Sequence, residues 1–341
     1  MRKTVSKKWW LVFGGAALSA VCIVSIEVRR KREFRLNSLP SADKMKRSPD
    51  SLIELCERSR LVGKKSNVLH ELEDIRQWHR DHGYRGGVVL RELQLPLYGS
   101  SHEREDPSGT PSEIIHDARH CYYLYYEVFG NGQVKQEIFC RGTTLWHDIV
   151  TDLKAVYVFD EELGCHLHMG FRDHADFLLA DLEPLLATPG NPRATVELCG
   201  HSLGGAVGLI VALKLRKRKH NVVRVTTFGS PRICHTSSVH ALTAQLPADC
   251  LRVENEYDIV PFLPPFGGAL GDKLWLFAGE DKQSRYIPVA LTSTSQAWVN
   301  WGVFNLYMPE TLMQAVCDHR IATYIDRLQR LQRVPVGDLK T

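Results

Sequence analysis

Short β-rich runs alternate with helical segments between residues 171 and 256, and this alternation restricts the possible folds more than any other feature. The β-rich runs are ATVELCG (194–200), VVRVTTFG (222–229) and CLRVENE (250–256), and helical patterns cover 171–186, 202–218 and 239–246. Strands that are joined by crossover helices pair in parallel, and such a sheet needs cover on both faces. The sequence therefore predicts an α/β fold with a largely parallel central sheet flanked by helices.

The segments before this region have a different character. The runs CYYLYYEVF and QVKQEIFC flank the turn signal Gly130-Asn131-Gly132, which predicts a β-hairpin. Apolar spacing predicts helices between Ser51 and Arg80, and a polar loop covers 99–113. We therefore predict an N-terminal segment over 1–35, a linker with a helical region over 36–114 and the α/β domain over 115–333.

The N-terminal segment has the composition of a membrane-spanning helix. Trp9 to Ile26 are 18 residues without a charge, and basic residues flank the run on both sides. A helix of this length just spans the hydrocarbon, with tryptophans at headgroup level and basic flanks in water. We expect a single-pass N-terminal transmembrane anchor. A cleaved signal peptide with its site near Ala17-Leu18-Ser19, a mitochondrial address and a buried helix remain alternatives.

Charge and cysteine content bear on partners and compartment. Residues 1–47 hold 12 Lys and Arg against 3 Asp and Glu, so the rest of the chain carries 31 against 36 and is mildly acidic. This distribution favours a membrane partner and argues against a nucleic-acid partner. The nine cysteines are scattered without a C-x-x-C pair, which is typical of free thiols and favours a cytosolic location for the α/β domain. The oligomeric state cannot be inferred from the sequence.

The segment Gly200-His201-Ser202-Leu203-Gly204 has the pattern G-x-S-x-G, directly after a β-rich run and directly before an Ala/Leu/Val helix. In this context the pattern predicts a sharp nucleophile elbow that presents a serine at the carboxyl end of a strand. Side chains at positions 200 and 204 would collide with neighbouring backbone, which explains the glycines. The Leu203 N–H, at the helix N-terminus, can face a developing oxyanion.

A serine hydroxyl needs a base and an orienting carboxylate, which follow it in the order acid then histidine in this fold type. Asp258 is the best acid, because it follows the strand LRVENE and precedes the rigid VPFLPP. Glu254 and Glu256 lie on or at the end of the strand and fit structural roles better. Only His319 lies beyond Asp258, so chain order selects it over the other downstream histidines, which are His220, His235 and His240.

Six blocks together resemble, in content and order, the class 3 (fungal-type) lipases of the α/β-hydrolase superfamily. The blocks are CRGTTLWHDIVTDL (140–153), HMGF (168–171), GHSLGGA (200–206), TFGSPR (227–232), NEYDIVPFLPP (255–265) and DHRIATY (318–324). The resemblance covers about residues 115–325. It implies an α/β-hydrolase fold with Ser202 as nucleophile, Asp258 as acid and His319 as base. It also implies that Thr143 supplies an oxyanion-hole donor beside the Leu203 N–H.

The family's lid would fall on 144–153, where an apolar stripe includes Leu145, Trp146, Ile149 and Val150. Such an amphipathic flap covers an apolar pocket in water and opens at lipid, although an ordinary core-facing helix gives the same pattern.

We therefore expect a membrane-associated serine hydrolase that cleaves acylglycerols or related lipid esters without a metal or cofactor. A phospholipase, an acyltransferase and a catalytically silent lipid-binding scaffold are the alternatives.

Overall fold

The computed structural model describes residues 47–62, 68–94, 119–142, 156–264, 267–277, 284–287, 314 and 316–333. The helices of these residues are α1 (Pro49–Leu61), α2 (Val68–Asp81), α3 (Met169–Leu182), α4 (Leu203–Lys217), α5 (Val239–Thr243) and α6 (Ile321–Arg333). The strands are β1 (Gly87–Gln94), β2 (Arg119–Val128), β3 (Val134–Cys140), β4 (Tyr157–Asp160), β5 (Cys165–His168), β6 (Ala194–His201), β7 (Val222–Phe228), β8 (Cys234–His235), β9 (Asp249–Asn255), β10 (Gly267–Gly268), β11 (Asp272–Leu276) and β12 (Arg285–Ile287).

Eight strands form one mixed sheet in the order β1-β2-β3-β6-β7-β9-β11-β12. The pairings from β3 through β6, β7 and β9 to β11 are parallel, whereas β1-β2, β2-β3 and β11-β12 are antiparallel. Parallel strands end at the same edge of a sheet, so the segments that follow β6, β7 and β9 meet there. The predicted α/β fold with a largely parallel sheet is confirmed for the described residues.

Apolar side chains are buried on both faces of the sheet. One cluster packs α3 and α4 against the sheet and includes Leu178, Val211 and Val225. The other packs α1 and α6 against the opposite face and includes Leu52 and Leu328. Because both faces are covered, the central strands are buried on both sides, as β9 is at every residue after Asp249.

Several predicted elements agree with the structure, and others were missed. The hairpin is present as β2 and β3, which pair with Val128 opposite Val134, and the three predicted parallel strands are β6, β7 and β9. The helix predicted over 239–246 is shorter, since α5 ends at Thr243 and the chain continues in turns. The sequence did not predict β1, nor the small second sheet of β10, β8, β5 and β4, whose strands have two to four residues each.

The predicted transmembrane anchor over 1–35 lies outside the described residues, and the domain boundaries at 35 and 114 stay predictions. Within the described part of the chain, no helix is both long enough and apolar enough to span a bilayer. The eight cysteines of that part are free thiols, and seven of them are buried.

Candidate active site

The serine of the G-x-S-x-G motif occupies the tight turn between β6 and α4. Its φ of 56° and ψ of −129° lie in a region that residues other than glycine rarely adopt, and such strain persists only where the surrounding structure enforces it. The Ser202 N–H donates to the carbonyl oxygen of Phe228 on β7 at 2.9 Å, and the Ser202 carbonyl accepts from the Gly205 N–H at 2.9 Å. These bonds fix the elbow at the carboxyl ends of two neighbouring strands.

The elbow glycines pack directly against backbone atoms. A Cβ at Gly200 would lie 2.4 Å from the carbonyl carbon and oxygen of Gly204, and a Cβ at Gly204 would lie 2.2 Å from the carbonyl oxygen of Cys140. No side chain fits at either position without moving a strand. Gly142, two residues after the end of β3, lies against the same turn, because a Cβ there would be 3.2 Å from the Ser202 Cβ.

Ser202, His319 and Asp258 form a continuous chain of contacts. The Nε2 atom of His319 lies 2.8 Å from the Ser202 Oγ, and its Nδ1 atom lies 2.9 Å and 3.0 Å from the two carboxylate oxygens of Asp258. All three residues are buried, with exposed fractions of 0%, 5% and 1% respectively. The structure therefore brings the three residues within hydrogen-bonding distance, although 117 positions separate the first from the last along the chain.

Two further donors hold the Asp258 carboxylate. The backbone N–H of Val260 donates to Oδ1 at 2.9 Å, and the buried hydroxyl of Tyr324 on α6 donates to Oδ2 at 2.6 Å. Burial and the neighbouring Asp258 raise the pKa of Tyr324 well above its usual value, so this hydroxyl keeps its proton. A carboxylate with this many donors is stable in its charged form and fixed in orientation.

The glycine of TFGSPR leaves room for this arrangement. Gly229 has a φ of +57°, and a Cβ there would lie 2.7 Å from the Asp258 Oδ2 and 3.2 Å from the His319 Nδ1. In the sequence, this block is only one of the six that carry the family resemblance. Neither Gly229 nor Tyr324 was a predicted site residue, since their importance depends on contacts that no local pattern reveals.

The backbone beside His319 is held by side chains from other elements. The Nδ2 of Asn255, at the end of β9, donates to the Asp318 carbonyl at 2.7 Å, and the His201 Nε2 lies 2.7 Å from the His319 carbonyl. The Asp318 carboxylate accepts from the backbone N–H of Tyr257 at 3.0 Å and from Arg327 of α6 at 2.8 Å. These contacts connect the base-bearing segment to the strands that carry the serine and the acid.

The structure places the rejected candidates in other contacts. His220 follows the C-terminal end of α4, and its Nε2 lies 3.3 Å from the Glu183 carboxylate. The His235 side chain bonds to Ser237 within its own turn. Glu254 forms buried ion pairs with Arg252 and Lys273. Chain order therefore selected the histidine that contacts the serine.

Some predicted site residues cannot be placed. Thr143 and the candidate lid residues Leu145, Trp146, Ile149 and Val150 lie outside the described residues. Leu203 is the first residue of α4. Its N–H therefore has no acceptor within the helix and points out of the N-terminal end of the helix. His201 ends β6 and touches the base-bearing segment as described above.

The arrangement has the chemical capacity for nucleophilic catalysis. With the Nδ1 proton of His319 donated to Asp258, the Nε2 atom can accept the proton of the Ser202 hydroxyl. A serine at a strand-to-helix elbow of a parallel sheet, with a histidine and an acid from later segments, is the site geometry of the α/β-hydrolase class.

Comparison with known proteins specifies the family within that class. Residues 138–268 match the family described as Lipase (class 3), and this confirms the resemblance to class 3 lipases of the α/β-hydrolase superfamily. Over this region, which includes the nucleophile elbow and Asp258, the chain is similar to the class 3 lipases.

Individual relatives match over shorter stretches. "Toxin TseL" of Vibrio cholerae is 34% identical over 34% of this chain and 18% of its own length. "Secreted mono- and diacylglycerol lipase 1" of Fusarium solani is 36% identical over 30% of this chain and 31% of its own length. Thus the chain spans less than a third of either relative. The solved structure of lipase II from Rhizopus niveus aligns over 72% of this chain and 89% of its own, with 19% identity and a TM-score of 0.48.

Proposed function

We propose that this protein is a serine hydrolase that cleaves carboxylic ester bonds of acylglycerols or related lipids. The observation that carries the proposal is the contact chain from the Ser202 Oγ through the His319 imidazole to the Asp258 carboxylate, at 2.8 Å and 2.9 Å. The class 3 lipase sequence around it supports an ester substrate. The name of the Fusarium solani relative, a mono- and diacylglycerol lipase, supports an acylglycerol.

The proposed reaction follows from the positions of the protons. His319 removes the Ser202 proton as the hydroxyl oxygen attacks the ester carbonyl, and Asp258 stabilises the imidazolium and holds its orientation. The imidazolium then protonates the leaving alcohol, and an acyl-enzyme remains on Ser202. Water that gives its proton to His319 attacks the acyl group and releases the fatty acid.

The negative charge of the tetrahedral intermediate needs hydrogen-bond donors. We assign this role to the backbone N–H of Leu203, at the N-terminus of α4, and to Thr143. The position of Gly142 against the Ser202 side chain supports the second donor, because Thr143 is the next residue in the chain.

Labelling with a fluorophosphonate tests the proposal, because such probes react with an activated serine. We expect labelling of the wild type at Ser202, and loss of both labelling and p-nitrophenyl butyrate hydrolysis in Ser202→Ala. The matched control is Ser59→Ala, which removes a buried hydroxyl of α1 that contacts Cys199 at 3.1 Å. An unlabelled wild type, or a labelled Ser202→Ala variant, would refute the proposal and favour a silent lipid-binding protein.

We further propose that residues 1–35 target the protein to a membrane, as a single-pass anchor with the catalytic domain in the cytosol. The uncharged run from Trp9 to Ile26 supports this, whereas the secreted relative supports a cleaved secretory signal instead. Deletion of residues 1–35 should release the protein from membranes and leave butyrate hydrolysis unchanged. If cells that express the full sequence release into the medium a protein without these residues, the segment is a cleaved signal and not an anchor.

A further inference from the structure

The residue before the nucleophile contacts the base as well as the serine turn. The side chain of His201 extends from the end of β6 to the segment that carries His319, and its Nε2 lies 2.7 Å from the carbonyl oxygen of His319. A carbonyl oxygen only accepts hydrogen bonds, so this contact requires a proton on the Nε2 of His201. The two imidazole rings lie with their centroids 4.8 Å apart.

The His201 ring is packed between other parts of the site. The Tyr324 ring meets it edge-on at a centroid distance of 6.0 Å, and its Nδ1 would lie 3.4 Å from a Cβ at Gly142. Burial, and secondarily the charge of His319, lower the pKa of His201 to about 3. The ring is therefore neutral when esters are hydrolysed, and it adds no second positive charge beside the imidazolium that forms on His319.

Hydrogen bonds hold the backbone of the base on both sides of its Cα atom. Asn255, near the acid on β9, holds the carbonyl that precedes the His319 Cα, and His201, next to the serine on β6, holds the carbonyl that follows it. The backbone on both sides of the His319 Cα is thus fixed to the two strands that carry its reaction partners.

We propose that His201 is a positioning residue, whose neutral Nε2–H fixes the His319 backbone so that the imidazole stays in line between Ser202 and Asp258. This inference rests on the proposed function of the same three residues. His201 acts through His319 and has no proton-transfer step of its own.

Two substitutions separate the hydrogen bond from the volume of the ring. His201→Phe keeps an aromatic ring and loses the donor, whereas His201→Gln keeps an N–H donor near the Nε2 position. For p-nitrophenyl butyrate we expect kcat to fall by about tenfold or more in His201→Phe with KM nearly unchanged, since small displacements of catalytic groups have effects of this size. His201→Gln should recover most of the loss.

The matched control is His79→Phe. His79 is another buried histidine whose ring bonds to a backbone carbonyl, that of Ile75 at 2.7 Å, and whose pKa is lowered to about 4 by burial and by Arg58. It lies on α2, next to Arg58 of α1. Thermal denaturation of all variants shows whether each is folded, and the control should keep the wild-type kcat even if its melting temperature falls.

Proton NMR gives a second readout that does not need turnover. The proton between the His319 Nδ1 and Asp258 should give a downfield resonance, assigned by its absence in Asp258→Asn. We expect the resonance to be shifted or lost in His201→Phe and retained in His201→Gln and His79→Phe. An inactive wild type with this NMR pattern would refute the proposed function and leave the positioning role intact. A folded His201→Phe with wild-type kcat and an unchanged resonance would overturn the positioning role.

Discussion

Tyr324 contacts the acid Asp258 directly, although the sequence analysis did not place it in the site. It is fully buried on α6, donates to the Asp258 Oδ2 and accepts the backbone N–H of Asn255 at 3.2 Å. A carboxylate that loses this donor is freer to rotate and holds the His319 imidazole less firmly. The Tyr324 hydroxyl therefore limits the mobility of the acid.

We predict that Tyr324→Phe lowers kcat by about tenfold, which corresponds to ~1.4 kcal/mol of activation free energy. Tyr122→Phe is the control, since Tyr122 is equally buried and donates to Asp181 at 2.6 Å, and it should keep the wild-type kcat. If both variants lower kcat alike, the Tyr324 hydroxyl has no specific effect on the acid.

Gly229 shows how a missing side chain shapes the site. We predict that Gly229→Ala abolishes most hydrolysis, because its Cβ would overlap the Asp258 carboxylate, and that it also destabilises the fold by about 1 kcal/mol because of its positive φ. Gly164→Ala is the matched control, with a φ of +66° and open space around the new Cβ. It should lose similar stability in thermal denaturation and keep its kcat. Equal losses of kcat in both would show that backbone strain alone is responsible.

The residues of the site were predictable to different degrees. The elbow around Ser202 has a local signature of strand, glycines and helix, and chain order alone led to Asp258 and His319. Tyr324 and Gly229 were missed, because their importance arises from approaches below 3.5 Å between segments that are distant in sequence. Motif reasoning finds the reacting groups, whereas the groups that support them become visible only after the chain has folded.

Among the helices and strands, the long elements with a regular sequence pattern were predicted best. β6, β7 and β9 have seven or eight residues each and were predicted to within a residue or two. The strands of the small sheet are too short to give a pattern, and β8 pairs with both β10 and β5. β1 was missed although it pairs with β2 over its whole length.

The helix α1 is joined to the sheet by a buried ion pair. The Arg58 guanidinium lies 2.9 Å from the Glu137 carboxylate on β3, with side-chain exposures of 0% and 4%. Its plane also lies over the ring of Phe139, 4.3 Å from the centroid. Burial alone would raise the pKa of Glu137, but the neighbouring Arg58 and Lys135 more than compensate, and the net pKa is lowered.

We predict that Glu137→Gln lowers the free energy of unfolding at pH 7 by about 3 kcal/mol, because the buried Arg58 loses its 2.9 Å partner and keeps a longer contact of 3.6 Å with the more exposed Glu54. A carboxylate with a lowered pKa stabilises the fold above its unfolded-state pKa, and this contribution is lost as pH falls through the folded value. The difference from wild type in denaturant titrations should therefore shrink below about pH 4. Glu73→Gln is the control, because its pair with Arg80 is exposed and should change stability by less than ~1 kcal/mol.

At the scale of the whole molecule, the reacting groups are enclosed. Ser202 is fully buried and His319 is 5% exposed, so a substrate as large as an acylglycerol reaches the hydroxyl only after part of the structure moves. Enzymes on lipid substrates gain from such an enclosure, since it excludes water from the site until an apolar surface is present. The rate of access, rather than the geometry of the three residues, would then limit turnover in water.

We predict that lipid vesicles or micelles accelerate fluorophosphonate labelling of Ser202 several-fold over the rate in buffer, because they stabilise an open state with exposed apolar surface. Simple unfolding would also expose the serine, and the buried cysteines provide the control. Cys140, Cys199 and Cys250 are buried free thiols, and burial raises the pKa of each to about 12, so a thiol reagent should not react with them in a folded open state. Acceleration together with rapid modification of Cys140, Cys199 and Cys250 would mean that the lipid unfolds the protein. Equal labelling rates with and without lipid would mean that thermal motion in water already admits the probe, and the enclosure would then have no part in sensing a lipid surface.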